Sequence, residues 1–231
     1  MRRPAEVSAH ASILPSVKDR IPEATVRRLP IYVQALEGLS AGHDQISSEE
    51  LASRAGVTAS IVRKDLSHLG CLGVRGVGYD VGDLHAEIRS ELGLTREWAM
   101  VIVGVGNLGR ALASFGGFEA QGFRIVGLFD ADPAKVGRRV AGHRIEPVAD
   151  LVSAVRREGA AIGVITTPAA VAQEVAGLLA EAGVESILNF APQVIRVPEH
   201  IELRAVDFSH ELRVLSYHLN RRRSGARSEP A

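Results

Sequence analysis

The chain has 231 residues, and its 27 Lys and Arg balance 27 Asp and Glu to a formal net charge of zero. At 46% apolar and 23% charged, it has the composition of a globular protein with one large or two ordinary domains, which excludes a disordered, collagenous or coiled-coil chain. Its one cysteine, Cys71, excludes an internal disulfide and a cysteine-based zinc cage.

Residues 1–19 mix Pro, Ser and His without apolar periodicity and read as a flexible arm. Pro15, Lys18 and Asp19 break up any signal-peptide core, so a cytoplasmic location is expected. A helix is expected from Pro22, with apolar Val26, Leu29, Val33 and Leu36, kinked or restarted at Pro30 and ended by Gly38 and Gly42. Ser47 and Glu50 have capping-box spacing for a short helix Glu49–Ala55, stopped at Gly56. Thr58 then caps a third helix running to about Leu69.

Helix, short helix, Gly-containing turn and helix make a helix-turn-helix. At 100° per residue, Val62, Leu66 and Leu69 fall within about 60° of one another as a core stripe, while Ser60, Arg63, Lys64 and Ser67 spread over the opposite face. Two cations flanked by two hydroxyls suit a major groove, hydrogen-bonding bases and touching phosphates. From Arg54 to Arg75 the chain carries a net three positive charges. The Gly-punctuated stretch 70–81 suggests a two-stranded wing with Arg75 near its tip, completing a winged helix over 20–84. Charged helix faces are usually only solvated; cap, turn, reading face and wing in this order shift the balance to DNA.

A helical connector is expected over 85–97, opening a Rossmann domain over 85–206. Met100–Val103 is a buried strand, far too short to span a membrane, and runs straight into Gly104-Val105-Gly106-Asn107-Leu108-Gly109. The first Gly permits the tight turn, the second admits a pyrophosphate, and the third lets a helix from Asn107 to about Phe115 pack on the strand. A second strand, Phe123–Phe129, ends in Asp130, 21 residues after Gly109 and placed to accept from a ribose 2′-OH. With Asp132 close by and no Arg immediately following, a 2′-phosphate is expected to be repelled, which favours NAD(H) over NADP(H). Further βα units follow: a strand near Arg144–Ile145 and a helix Val148–Arg157, then strand Ala161–Ile165 and a helix to Ala182. Strand Ser186–Leu188 comes next, then Glu202–Val206. Ligands lie beyond the carboxyl ends of such strands, which makes Thr166, Thr167, Pro168, Asn189 and Phe190 candidates for the cofactor's far end. A last helix, Ser209 to about Arg222, carries a stripe of Leu212, Leu215 and Leu219 that wants a partner surface, and 223–231 reads as a flexible tail.

No Ser-x-x-Tyr-x-x-x-Lys or comparable proton-transfer set is present, and the eight histidines show no metal spacing. A nucleotide domain without catalytic groups points to sensing rather than turnover. An NAD- or CoA-nucleotide-dependent enzyme with an N-terminal oligomerisation domain is the alternative. A DNA binder whose Rossmann domain only dimerises is a third reading.

The residues Ile21-Pro22-Glu23, Arg28-Leu29, Arg63-Lys64-Asp65-Leu66 and Gly73-x-x-Gly76-x-Gly78-Tyr79 resemble the Rex family of redox-sensing transcriptional repressors. So do Gly104-x-Gly106-Asn107-Leu108-Gly109, Phe129-Asp130-x-Asp132-Pro133, Asn189-Phe190-Ala191-Pro192 and Asp207-Phe208, and the likeness spans about 20–220 in order. The resemblance implies a homodimer of α/β subunits, each with a winged helix, a doubly wound parallel sheet and a domain-swapped C-terminal helix over 207–222. It implies a palindromic, A·T-containing DNA operator held by the apo or NAD⁺-bound protein and released by NADH, with no metal and no membrane. By the same resemblance Phe208, from the partner's helix, lies near the nicotinamide, and Asp207 is a switch carboxylate that pairs with Arg28. The family commonly has a Tyr on the first Rossmann helix that takes over this carboxylate; here Phe115 stands there without a hydroxyl.

Overall fold

The computed structural model describes residues 21–39 and 42–225, which divide into two compact units between Thr95 and Arg96. The arm expected over 1–19 and the end of the tail lie outside the described residues.

In the first unit α1 (Glu23–Val26) and α2 (Leu29–Glu37) are separate helices. Pro30 sits in the first turn of α2, where its missing N–H costs nothing, so the helix restarts instead of kinking. β1 (Gln45–Ile46) precedes α3 (Ser48–Ala55), whose cap is half a capping box: Ser47 accepts from the Glu50 N–H, but the Glu50 carboxylate turns to Arg54. α4 (Ala59–His68) is capped by Thr58, and its Val62 and Leu66 are fully buried with Leu29, Tyr32, Leu51 and Ile88.

The wing is a tight loop in which Val74 and Gly78 exchange N–H···O bonds at 2.8 and 2.9 Å. Its trailing residues, β2 (Tyr79–Asp80), pair not across the wing but antiparallel with β1, because the glycines of 70–78 turn the chain too sharply for a second ladder. The domain boundary after 84 also moves. The connector is α5 (Val81–Glu91), capped by Asp80, and it buries Leu84 and Ile88 in the first unit's core.

Helix α4 is pinned by a buried carboxylate. Asp65, on α4 and only 1% exposed, accepts from Thr25 Oγ1 (2.8 Å), Arg28 Nε and Nη2 (2.6 and 2.7 Å) and the Tyr32 hydroxyl (2.7 Å). Burial pushes this carboxyl up, but the bonds from Arg28, Tyr32 and Thr25 outweigh it and hold the group below the usual range. The same bond to Asp65 raises the Arg28 guanidinium, and burial followed by the Asp65 bond raises the Tyr32 phenol.

The second unit is a seven-stranded sheet in the order β5-β6-β4-β3-β7-β8-β9. β3 (Trp98–Val103), β4 (Phe123–Asp130), β6 (His143–Pro147), β7 (Ile162–Ile165), β8 (Ser186–Asn189) and β9 (Glu202–Ala205) are parallel, and β5 (Arg139–Val140) closes one edge antiparallel. This is the doubly wound order, with its switch point between β3 and β7. α8 (Leu151–Glu158), entered through a 3₁₀ turn, and α9 (Ala169–Ala182) cover one face over Val101, Val103, Phe129 and Ile165. On the other face α6 (Asn107–Ala113) and α7 (Gly117–Ala120) cover Met100, Ile102, Ile125 and Leu128. α6 ends two residues before the expected Phe115, with Ser114 as its cap. α10 (Phe208–Gly225) runs past the expected Arg222 into the segment read as a flexible tail. Its Phe208, Leu212, Leu215 and Leu219 stay more than half exposed.

Asp65→Ala leaves two buried hydroxyls and a half-buried guanidinium without their acceptor, and is expected to destabilise the first unit by about 3 kcal/mol, read as a lower urea midpoint. Because the folded carboxyl sits below its unfolded value, its contribution is complete above the unfolded pKa of about 4 and declines as pH falls through the folded value. A wild-type acid-unfolding curve should therefore show a proton uptake that Asp65→Asn lacks.

Candidate functional site

The nucleotide cleft forms where β3 and β7 part. Gly104 leaves β3 at φ +98°, and its N–H is held by the Phe129 carbonyl at 2.8 Å. Thr166 Oγ1 donates to the Gly104 carbonyl at 2.6 Å, and the Thr166 N–H to the Val103 carbonyl at 2.9 Å, which locks the two strand ends together. A Cβ on Gly109 would overlap the Gly104 carbonyl oxygen, so α6 can lie this close to β3 only with glycine there. A Cβ on Gly106 would meet nothing within 4 Å, which leaves open space in front of the backbone. Val105 is buried beneath the turn, while Asn107 is exposed and Leu108 half-buried at the start of α6.

Asp130 ends β4 and is 6% exposed. Its Oδ2 accepts from the Val105 N–H at 2.8 Å and from Lys135 Nζ at 2.9 Å, and its Oδ1 from the Asp132 N–H at 2.9 Å. Burial raises this carboxyl, but the Asp132 N–H, Lys135 and the Val105 N–H outweigh it and hold Asp130 below the usual carboxylate range. Lys135 was not singled out in the sequence; the turn-forming run Asp130-Ala131-Asp132-Pro133 is the signal that could have found it. Past this pair the cleft, about 540 Å³, gains apolar walls from Val148, Val171, Val175 and Leu178, a slot suited to a flat base.

A dinucleotide fits these residues. There is room in front of Gly106, one open acceptor on Asp130 Oδ1, and a buried Thr167 hydroxyl with no hydrogen-bond partner. Thr166, Thr167 and Pro168 line the same cleft. Two expected ligands also hold the framework. The Thr166 hydroxyl donates to the Val103 and Gly104 carbonyls, and the Asn189 amide accepts from the Ala191 N–H and donates to the Ala191 and Gln193 carbonyls. Asn189 thereby sets Phe190, whose ring stacks on Phe208 with centroids 6.3 Å apart. Phe115 lies apart from the cleft, 53% exposed, on the rim of a separate apolar cavity of about 510 Å³ with Phe118, Ile162 and Leu188. Asp207 accepts from the Ser209 N–H and starts α10.

On α4 the structure exposes Ser60, Arg63, Lys64 and Ser67 together, as the helical angles require. Arg63 Nη1 donates to Ser48 Oγ (2.8 Å) and Glu49 Oε1 (2.9 Å), and Arg63 and Arg75 line one cleft of about 500 Å³ between α3, α4 and the wing. Ser60 is within 2.9 Å of the Thr58 hydroxyl, and Ser67 donates to the Lys64 carbonyl. Arg54 forms an i,i+4 pair with Glu50. Cys71, just after α4, is half-buried, and burial together with Glu87 pushes its thiol up.

A helix-turn-helix with an exposed cationic helix, joined in one chain to a dinucleotide-type cleft, defines a DNA-binding regulator that carries its own nucleotide domain. Comparison with known proteins agrees. Residues 20–67 match the family described as "Putative DNA-binding protein N-terminus", and residues 95–193 match the family described as "CoA binding domain". The redox-sensing transcriptional repressor Rex of Streptomyces coelicolor is 52% identical over 210 residues, covering 90% of this chain and 81% of the relative. That of Carboxydothermus hydrogenoformans is 45% identical, covering 87% and 98%. Among solved structures, RSP in complex with beta-NAD+ and operator DNA superposes with a TM-score of 0.85 at 35% identity, covering 92% of this chain and 99% of that one. RSP in complex with beta-NADH gives 0.80 at 34%, covering 90% and 98%. The chain belongs to the Rex family of redox-sensing transcriptional repressors.

The two glycines separate fold from binding. Gly109→Ala is expected to cost about 3 kcal/mol through overpacking, seen as a lowered Tm. Gly106→Ala should leave Tm unchanged and weaken NADH at least about tenfold in a fluorescence titration, because only the bound pyrophosphate meets the new methyl.

Proposed function

We propose that this protein is a cytoplasmic, homodimeric repressor that holds a palindromic operator when apo or NAD⁺-bound and leaves it when NADH occupies the cleft. The observation that carries this reading is the pairing, in one chain, of the exposed Ser60-Arg63-Lys64-Ser67 face with the cleft around Gly104, Gly106, Gly109 and Asp130. Bound NADH supplies no bond-making chemistry here; it is the signal.

On DNA, Arg63 and Lys64 meet base edges and phosphates from the major groove, Ser60 and Ser67 add hydroxyl contacts, and Arg75 reaches from the wing. Arg54, turned to Glu50, is left with a weaker, long-range part. A dimer places two such helices about 34 Å apart, so a modest change in their spacing loses one half-site. NADH can drive that change only by binding the released arrangement more tightly than the DNA-bound one. The exposed apolar side chains of α10 support an exchange of this helix between subunits, which would bring the partner's copy of the helix start to the nicotinamide end of the cleft. Asp207 would then reach Arg28 from its Nη1 side, since Asp65 takes the Nε and Nη2 edge.

The test loads immobilised protein with sheared genomic DNA in NAD⁺ at fixed salt and washes with NADH. Discrete fragments should be released by NADH and not by added NAD⁺. Retention that ignores NADH would leave a DNA binder without a sensor, and no specific retention would return the enzyme reading. Salt must be held constant because phosphate contacts make affinity steeply salt-dependent.

Two variants divide the machine. Arg63→Ala should cost about 1–3 kcal/mol of operator affinity and relax specificity, measured by competition binding. Asp207→Ala should blunt NADH-driven release; full release at equal NADH occupancy would remove Asp207 from the switch.

A further inference from the structure

We propose that Lys135 is a specificity-determining residue of the cleft. It donates to one hydroxyl of the adenosine ribose while Asp130 accepts from the other, and it stands ready to hold a 2′-phosphate once the Asp130 charge is removed. The inference rests on the reading of the cleft as an NAD(H) site.

Each carboxylate oxygen offers about two acceptor positions. Asp130 Oδ2 fills both, with the Val105 N–H at 2.8 Å and Lys135 Nζ at 2.9 Å. Asp130 Oδ1 fills one, with the Asp132 N–H at 2.9 Å, and a single acceptor remains. A ribose presents two adjacent hydroxyls, so this carboxylate cannot clasp both. The ammonium of Lys135 has three N–H donors and spends one on Asp130. Its side chain is 35% exposed and lines the same cleft as Gly104, Gly106 and Asp130. An acceptor and a donor therefore stand side by side where the diol must lie.

The backbone fixes the donor there. Asp132 Oδ1 accepts from the Ala134 N–H at 2.9 Å and the Asp132 carbonyl from the Lys135 N–H at 2.9 Å, so the turn through Pro133 folds Lys135 back onto Asp130. The charges facing the subsite are Asp130, Asp132 and Glu174 against Lys135. This excess of negative charge disfavours a phosphate, yet the cation a phosphate needs is already in place. Discrimination against NADPH thus depends on Asp130 keeping its charge and holding Lys135 to itself.

The experiment titrates the intact protein with NADH and with NADPH by calorimetry, following folding by thermal melts. Wild-type protein should bind NADH, and failure to do so overturns the cleft reading itself. Lys135→Met, on a partly exposed side chain, should keep its melting temperature and weaken NADH about tenfold, with NADPH weakened at least as much. Unchanged NADH affinity in this variant, with wild type binding normally, overturns the role of Lys135 alone. Asp130→Asn should shift the preference toward NADPH about tenfold, and Asp130→Asn/Lys135→Met should lose that shift. A shift that survives in the double variant means another group holds the phosphate, and overturns that part of the proposal. Should Asp130→Asn fail to fold, the Lys135→Met titrations decide the matter.

Discussion

A charge with almost no access to water is built into α4, and the exposed face of that helix takes its orientation from it. Burying a carboxylate costs several kcal/mol unless its lone pairs are filled. Thr25, Arg28 and Tyr32 fill those of Asp65 from α1, the turn after it and α2. The arrangement is directional, since a hydrophobic contact tolerates a slide or a small rotation and four hydrogen bonds to one group do not. In the run Arg63-Lys64-Asp65-Leu66, one face of a single helical turn points at solvent, one at the core, and the residue between them sets the angle.

The nucleotide unit uses the same device at a different place. Asp130 is also a buried, ionised carboxylate at the margin of a functional surface, with its donors drawn from the glycine turn, the following loop and a lysine. Beside it, the Thr166 hydroxyl and the close seat of Gly109 on Gly104 hold β3, β7 and α6 in contact, so the space in front of Gly106 is bounded by rigid backbone. Neither carboxylate contributes much as a surface charge. Each is a fixed point from which nearby atoms are aimed.

Much of this was legible in one dimension. The glycine turn, the acid ending β4, the caps of α3 and α4 and the split between buried and exposed faces of α4 follow from spacing and side-chain chemistry that local backbone geometry enforces. What the spacing hid was tertiary. Asp65 counted as one negative charge among cations, although it lies only about 60° from Val62, on the border of the core stripe. Gln45–Ile46 is too short to show a strand pattern, and only its pairing with Tyr79–Asp80 explains why the wing is a loop rather than a ribbon. Ile88 reads as a linker's apolar residue until the core that receives it is known. Asn189 looked like a ligand because it ends a strand, and its amide is consumed by the loop it shapes.

Cys71 sits at the end of the recognition helix, where an oxidisable sulfur would couple directly to DNA binding. Its half-burial and the neighbouring Glu87 keep it as the neutral thiol, and it is the thiolate that peroxides attack. A raised thiol of this kind disfavours the thiolate and so slows oxidation at the end of α4. In the proposed reading, word of the cell's redox state arrives as a reversible occupant of the nucleotide domain, and the response is undone by dissociation alone, without a reductase.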